Sequence, residues 1–478
     1  MIASFRDPAG RLLFVEGRVI RIVEPSAGAD LQAVLESGAL AKFLADGRLV
    51  RTEILDGAAA ESLSSDEEVA GVLEDFGPSV FVEHERIPFA TFPYEWSPEM
   101  LYAAAELTLD LADGLLPGGF GLKDATPYNV LFRGPRPVFI DLLSFERRDP
   151  LDRTWLPYAQ FSRTFLLPLL VNKHFGIRLD QIFLASRDGL DPEEVARLCG
   201  PVQKWRPPFL SLVTLPARLS GRAEAPDASV YRKHTAANPE MARFILGRIL
   251  KGLRRRLEGL RPGGSRTSAW SGYTEQNQYT EDYLPRKERF VEAALAEVRP
   301  RKVLDVGCNT GDFSALAARA GASVVSIDYD PVVIGRLWRR ASAEGLDILP
   351  LAVNLARPTP SLGWRNLENP SFIERFRGSF DGVLMLAVIH HMLVSERIPL
   401  PEIMRLAAEL TRDLLVIEYV APQDPMFRRI ARGRDHLHEF MTREYFEEVS
   451  RRHFEIVRSE RLGETHRTIY MMRRKTFV

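Results

Sequence analysis

Cysteine is scarce in this chain. Cys199 and Cys308 are the two among 478 residues, too few for a disulfide framework or a four-cysteine zinc site, and in keeping with a reducing compartment. Long apolar runs are missing as well: the longest, near residues 165–171 and 383–389, fall far short of the ~20 residues a membrane-spanning helix needs, so no membrane span is expected. Neither sign of charge dominates. With 63 Lys and Arg against 64 Asp and Glu the net charge is −1, so any nucleic-acid or acidic-membrane partner needs a local patch. No repeat recurs at a fixed period, which argues against solenoids and propellers. The first residues reach Arg6, Asp7 and Pro8 before any apolar stretch, unlike a signal peptide, and a cytoplasmic protein is expected. What is present, 45% apolar, 27% charged and 9% aromatic residues, is the balance of a soluble globular chain. At roughly 150 residues per domain its length predicts two to four domains.

The clearest punctuation is Arg261-Pro-Gly-Gly-Ser-Arg266, where proline ends a helix and glycine favours none. Just before it, residues 238–260 carry Met241, Ile245, Ile249, Leu253, Leu257 and Leu260 at helical spacing, with Arg243, Arg248, Lys251, Arg254, Arg255 and Arg256 around the wheel. This basic amphipathic helix reads either as a domain edge with a solvated face or as a polyanion contact. The expected organisation is a module over 1–235, with a small mixed lobe to about 96 and a helical lobe from about 97. A basic helix and linker follow over 236–267, and a third part covers 268–478.

Beyond the linker, strands at 302–306, 323–327, 348–353, 380–386 and 414–418 alternate with helices at 312–320, 332–343 and 400–410. Residues 454–461 and 467–473 suggest a closing antiparallel hairpin. That is an α/β fold, a doubly wound and mostly parallel seven-stranded sheet. Its first strand runs into Val303-Leu-Asp-Val-Gly-Cys-Asn-Thr-Gly-Asp-Phe-Ser314, where Gly307 and Gly311 let backbone approach a ligand. The spacing is Gly-x-x-x-Gly, not the dinucleotide fingerprint, and Asp305 would repel a diphosphate while suiting a cationic ligand. The next strand ends in Ser326-Ile-Asp-Tyr-Asp-Pro331, about 20 residues after the first glycine, so Asp328 is the candidate acceptor for ribose hydroxyls.

These residues resemble the class I S-adenosylmethionine-dependent methyltransferases, over roughly 273–474. The resemblance implies that Gly307, Asn309 and Gly311 lie against the methionine and ribose part of S-adenosylmethionine, with Asp305 near its ammonium. It puts Asp328 and the adjacent Tyr329 at the ribose end and Asn354 near adenine. Methyl transfer needs alignment and, for some acceptors, a base. His390 and His391, closing Phe380-Asp-Gly-Val-Leu-Met-Leu-Ala-Val-Ile-His-His-Met392, are the candidates. Glu418, His436 and His438 raise a metal reading without a diagnostic spacing. No Asn-Pro-Pro-aromatic motif occurs and Cys308 lies inside the turn, which disfavours DNA methylation. Trp270, Tyr273 and Tyr279 are expected either to close over the cofactor or to pack as ordinary aromatics.

In the first half, Gly121-Leu-Lys-Asp-Ala-Thr-Pro-Tyr-Asn-Val-Leu-Phe132 and Pro137-Val-Phe-Ile-Asp-Leu-Leu-Ser-Phe145 place Asp124, Asn129 and Asp141 around a strand-turn-strand. In phosphoryl transfer one such carboxylate orients the hydroxyl, and the Asn with the second Asp holds magnesium on ATP. The segment resembles the protein kinase and aminoglycoside phosphotransferase superfamily, over about 11–218, with residues 89–96 as its inter-lobe hinge. It departs from that pattern: Leu122 stands at the catalytic-loop histidine position, Leu142 follows Asp141 and no glycine-rich loop occurs. Arg21 stands in the strand where lysine is usual, with Glu36 on the next helix.

The expected protein is therefore a methyltransferase acting on an oxygen or nitrogen of a small or modified acceptor. Its kinase-like module is inactive and serves substrate recognition or domain positioning. The competing readings are a bifunctional enzyme using ATP and Mg2+, an RNA methyltransferase using the basic helix, and a nonenzymatic scaffold.

Overall fold

The computed structural model describes residues 6–76, 79–223, 234–264, 268 and 282–475. Trp270, Tyr273 and Tyr279 lie outside them. The chain divides into two compact units, Met1–Gly263 with Leu362–Asn369, and Gly264–Ser361 with Pro370–Val478.

In the first unit, β1 (Gly10–Val15) and β2 (Arg18–Val23) form a hairpin whose two turn residues, Glu16 and Gly17, both have positive φ, the geometry that matches strand twist. With β3 (Thr52–Ile54) and β4 (Val80–His84) they make an antiparallel sheet ordered β1-β2-β4-β3. Leu13, Val15, Ile20 and Ile22 bury one face against Leu63, Val69 and Phe81. A helix, Pro25–Glu36, follows β2 and a second, Ala41–Ala45, follows it, because Gly38 turns left-handed between them. Beyond a buried turn at Pro93–Glu95 comes the long helix Pro98–Leu115, capped by Ser97 and buried on most of its circumference. Then β5 (Phe120–Leu122), β6 (Val130–Arg133), β7 (Arg136–Phe139) and β8 (Phe145–Arg147) make two short antiparallel pairs, β5 with β8 and β6 with β7.

The basic helix, Pro239–Gly259, belongs to this unit, which runs on to Gly263. Leu253, Leu257 and Leu260 are buried as expected, but in the first half of the helix Ala242, Leu246 and Leu250 are buried in place of Met241, Ile245 and Ile249, and Met241 is exposed. Two apolar rows run along the first half of this helix and merge at Leu253, and packing on the long helix selects the row one residue further on. Arg254 pairs with Asp110 at 2.9 Å and Arg261 with Glu106 at 3.2 Å, so part of the basic face is neutralised within the unit.

In the second unit a helix, Tyr283–Val298, precedes β9 (Lys302–Val306), β10 (Ser323–Asp328), β11 (Ile348–Ala352), β12 (Phe380–Met385), β13 (Thr411–Val420), β14 (Phe454–Arg461) and β15 (Arg467–Arg474). They form one sheet ordered β11-β10-β9-β12-β13-β15-β14, parallel through β13 and closed by antiparallel β15. The α/β sheet expected from sequence is present. Interior strands are buried almost end to end, as a sheet covered on both faces requires, whereas edge strand β14 alternates. Strand order reverses between β9 and β12, and the crevice outside the carboxyl ends at such a reversal is where open α/β sheets take ligands.

Candidate active site

At the end of β9 the chain cannot continue straight. Gly307, Asn309 and Gly311 all take positive φ, and the Gly307 and Cys308 amides donate to the Ile327 carbonyl at 2.8 and 3.1 Å, pinning the turn to β10. A Cβ on Gly307 would come within 3.1 Å of Val388, and one on Gly311 within 2.2 Å of Leu337. Both glycines are thus required by close approach as well as by dihedral angle.

The turn borders a cavity of about 560 Å3 lined in part by Asp305, Asp328, Tyr329, Asn354, Lys287 and His391. Asp305 is buried, accepts from Ser314 Oγ at 2.5 Å, and is pushed up to about 6 by burial. Asp328 is also pushed up to about 6 by burial; its two oxygens accept from the Asn309 amide at 3.1 Å and the Asp330 amide at 3.0 Å. Asn354 Oδ1 accepts from the Ala356 amide at 2.9 Å, and Tyr329 is exposed at the rim. Asp305, Gly307, Asn309, Asp328, Tyr329 and Asn354, singled out from sequence, therefore line one cavity, whereas Gly311 does not line it and packs against Leu337. Burial and the nearby charges of Asp328 and Asp305 push the Cys308 thiol well above its usual range, which disfavours the thiolate.

The two histidines separate. His391 lines this cavity and a second one of about 1210 Å3 formed by residues between 391 and 445. Burial, with the charge of Arg467, pushes it down to about 4. His390 lines neither cavity and is fully buried, its ring facing Phe427, and neither of its nitrogens has a hydrogen-bond partner among the described residues. Of the two rings expected as candidate bases only His391 borders a cavity: the helix aims the two neighbours in different directions, and His390 is in the core.

The metal reading is corrected. Glu418 is fully buried in a charge cluster, with Lys287 Nζ at 2.7 Å, Arg467 Nη1 at 3.2 Å and Tyr283 Oη donating at 2.7 Å. His438 instead stacks edge-on against Phe427, His436 shares its short turn, and no group of three or more His, Cys, Asp or Glu among the described residues could hold a metal.

That charge cluster was missed from sequence. Arg467 completes it with a two-pronged pair to Asp424 at 2.8 and 3.0 Å, and Tyr283, Lys287 and Arg467 all line the smaller cavity. One signal was legible: Lys287 interrupts the otherwise apolar buried face of Tyr283, Phe290, Val291 and Ala294. Nothing in the chain announces Arg467, whose partners lie 43 and 49 residues away.

In the first unit, Asp141 follows β7 and is engaged on both oxygens: Arg21 Nη1 donates at 2.6 Å to one and Ser144 Oγ at 2.6 Å to the other. Asn129 donates to the same Ser144 hydroxyl at 3.0 Å. Despite burial, Arg21 holds Asp141 below the usual carboxylate range, whereas burial and the charge of Asp141 raise Asp124. Glu36 takes no part in this; it accepts from Gln32 at 2.8 Å.

Residues 275–466 match the Methyltransf_23 methyltransferase domain. The carboxy-terminal unit is a class I S-adenosylmethionine-dependent methyltransferase domain. The O-antigen chain terminator bifunctional methyltransferase/kinase WbdD of Escherichia coli is 27% identical over 163 residues, 31% of this chain and 19% of that protein. Among solved structures, the N-methyltransferase NodS of Bradyrhizobium japonicum WM9 is 14% identical, covering 41% of this chain and 98% of that one at a TM-score of 0.31. Nodulation protein NoeA of Rhizobium meliloti (strain 1021) is 30% identical over 475 residues, 98% of this chain and 95% of that protein. With that coverage end to end, the chain belongs to the NoeA family.

Proposed function

We propose that the second unit moves the methyl group of S-adenosylmethionine to an oxygen or nitrogen of a small or modified acceptor, and that His391 receives the acceptor's proton. The observation that carries this reading is that His391 lines both the cavity walled by Asp305 and Asp328 and the larger one beside it. The donor suits the smaller cavity by size, since small-ligand sites run about 300–1,000 Å3, and by chemistry. Asp305 and Lys287 offer one carboxylate and one ammonium to its amino-acid end, and Asp328 keeps unused lone pairs for ribose hydroxyls. Gly307 leaves open the space that a side chain would fill against Val388. Tyr329 and Asn354 line the same cavity.

When bound, the donor supplies a methyl group already activated on positively charged sulfur. The chain's own residues then orient, shield and deprotonate. As the bond from acceptor to carbon forms and the carbon–sulfur bond breaks, the acceptor's proton passes to His391. An imidazole held near 4 is neutral at pH 7 and a mild base, suited to a proton that becomes acidic only as the new bond forms. The test pairs two readouts. His391→Asn lowers kcat while calorimetric affinity for S-adenosylhomocysteine stays within about twofold; a parallel collapse of that affinity would reassign His391 to donor binding.

The first unit is read as an inactive kinase-like module that recognises substrate or positions its partner. Support comes from the element order, a small antiparallel sheet and helix, a buried connection, a long helix, then a hairpin with Asp124 and Asn129 before it and Asp141 after it. Inactivity is argued from Asp141, whose oxygens are committed to Arg21 and Ser144. A thermal-shift series with ATP and Mg2+ should leave the melting temperature unchanged while S-adenosylhomocysteine raises it. A magnesium-dependent ATP shift, abolished in Asp141→Ala, would establish phosphotransfer instead.

A further inference from the structure

The larger cavity has an unusual wall. Arg397, Arg429, Arg432 and Arg434 all line it, all four are exposed, and none has an ion-pair partner among the described residues. Several other arginines of this unit are paired with carboxylates: Arg340 with Asp312 and Glu344, Arg357 with Glu396, Arg377 with Glu409, Arg473 with Asp413. No Asp or Glu appears among the described residues of the cavity wall. Like charges gathered without counter-ions repel, and the concave surface between them focuses positive potential. Apart from His391, Ser395 and His438 the remaining wall is apolar and aromatic, with Leu437 and Phe440 exposed and Phe440 edge-on to Tyr445 at 5.7 Å.

We infer that this cavity anchors the methyl acceptor and that the acceptor is a small molecule bearing a phosphate or diphosphate. The inference rests on the proposed methyl transfer, which it deepens by naming the substrate class. Guanidinium forks match phosphate oxygens in pairs. Four of them exceed what a single carboxylate would neutralise. The aromatic and apolar wall takes the uncharged remainder. His391 and Ser395, shared with the donor cavity, mark where the reacting oxygen or nitrogen must reach. A membrane surface would also favour arginine beside exposed Leu437 and Phe440, but it needs a protruding face, whereas these groups surround a recess of about 1210 Å3 that shares His391 and Ser395 with the smaller cavity. The recess favours a small molecule.

The experiment uses the full chain with S-adenosylhomocysteine present and inorganic pyrophosphate as the probe, comparing wild type with the double variant Arg429→Gln, Arg432→Gln by calorimetry. Both side chains are exposed, so the variant should fold, and unchanged S-adenosylhomocysteine affinity verifies it. Pyrophosphate should bind the wild type and bind the variant roughly 10- to 100-fold more weakly. Equal pyrophosphate binding by both proteins, or none by either, overturns the inference. So does citrate binding as tightly as pyrophosphate through the same arginines. Arginine-dependent sedimentation with phosphatidylglycerol vesicles, or arginine-dependent binding of poly(U) RNA, without a pyrophosphate response overturns it in favour of those partners. Failure of S-adenosylhomocysteine itself to bind would fault the donor site, a different outcome from a missing pyrophosphate response.

Discussion

Two strand ends in this protein carry carboxylates that look alike in sequence and differ in what holds them. Asp328, ending β10, is held by two backbone amides and faces a cavity. Asp141, just after β7, is held by an arginine and a hydroxyl. Amides fix a carboxylate while leaving its charge uncancelled and part of its lone pairs free; a guanidinium cancels the charge and turns the group into a structural joint. The ionisation follows: burial raises Asp328 to about 6, while Arg21 keeps Asp141 below its usual range. The first is poised for a ligand and the second is already satisfied.

Removing one charge from each region sharpens the contrast. Glu418→Ala strands the buried Lys287 and Arg467 and should cost about 3–5 kcal/mol in urea unfolding, the largest effect expected. Asp328→Ala should weaken S-adenosylhomocysteine by about 1.5–3 kcal/mol in calorimetry, and Asp141→Ala should leave that affinity unchanged. Equal losses would break the comparison. Arg21→Ala, which frees a partly buried Asp141, should cost about 1–3 kcal/mol of thermal stability with methyl transfer intact.

Lowering the pH through about 6 should weaken donor binding, because Asp305 and Asp328 protonate there. Stability of the empty protein should move the other way. Both folded-state values lie above the unfolded ~3.9, so the contribution of these groups is fully present below that value and is lost as pH rises through about 6. Melting curves with Asp305→Asn as control check the sign. The smallest effect is Arg254→Ala, whose half-exposed pair with Asp110 should contribute about 0.2–1 kcal/mol and fade in salt.

Most of the second unit was readable because a buried parallel sheet writes itself as short apolar runs separated by turns. β9 and the helix Leu400–Leu410 fall where periodicity put them. The turn after β9 was readable because only glycine fits its dihedrals and its neighbours. Which histidine faces a cavity was not, since adjacent residues on a helix differ by about 100° in direction and only packing decides which points out. The Lys287, Glu418 and Arg467 cluster was not readable either, as local patterns hold no record of contacts closed across 49 and more residues. On the basic helix two apolar rows compete, and the sequence ranks neither.

The first unit also includes Leu362–Asn369, a short stretch drawn from deep within the chain of the second. Its Glu368 is buried there and takes Arg6 and, at 3.2 Å, Arg187. During synthesis the last piece of the earlier unit therefore leaves the ribosome roughly a hundred residues after Gly263, so that unit cannot be completed before much of the second has been made. A gene cut at Gly263 would give a fragment lacking Glu368, and no single cut yields both units whole.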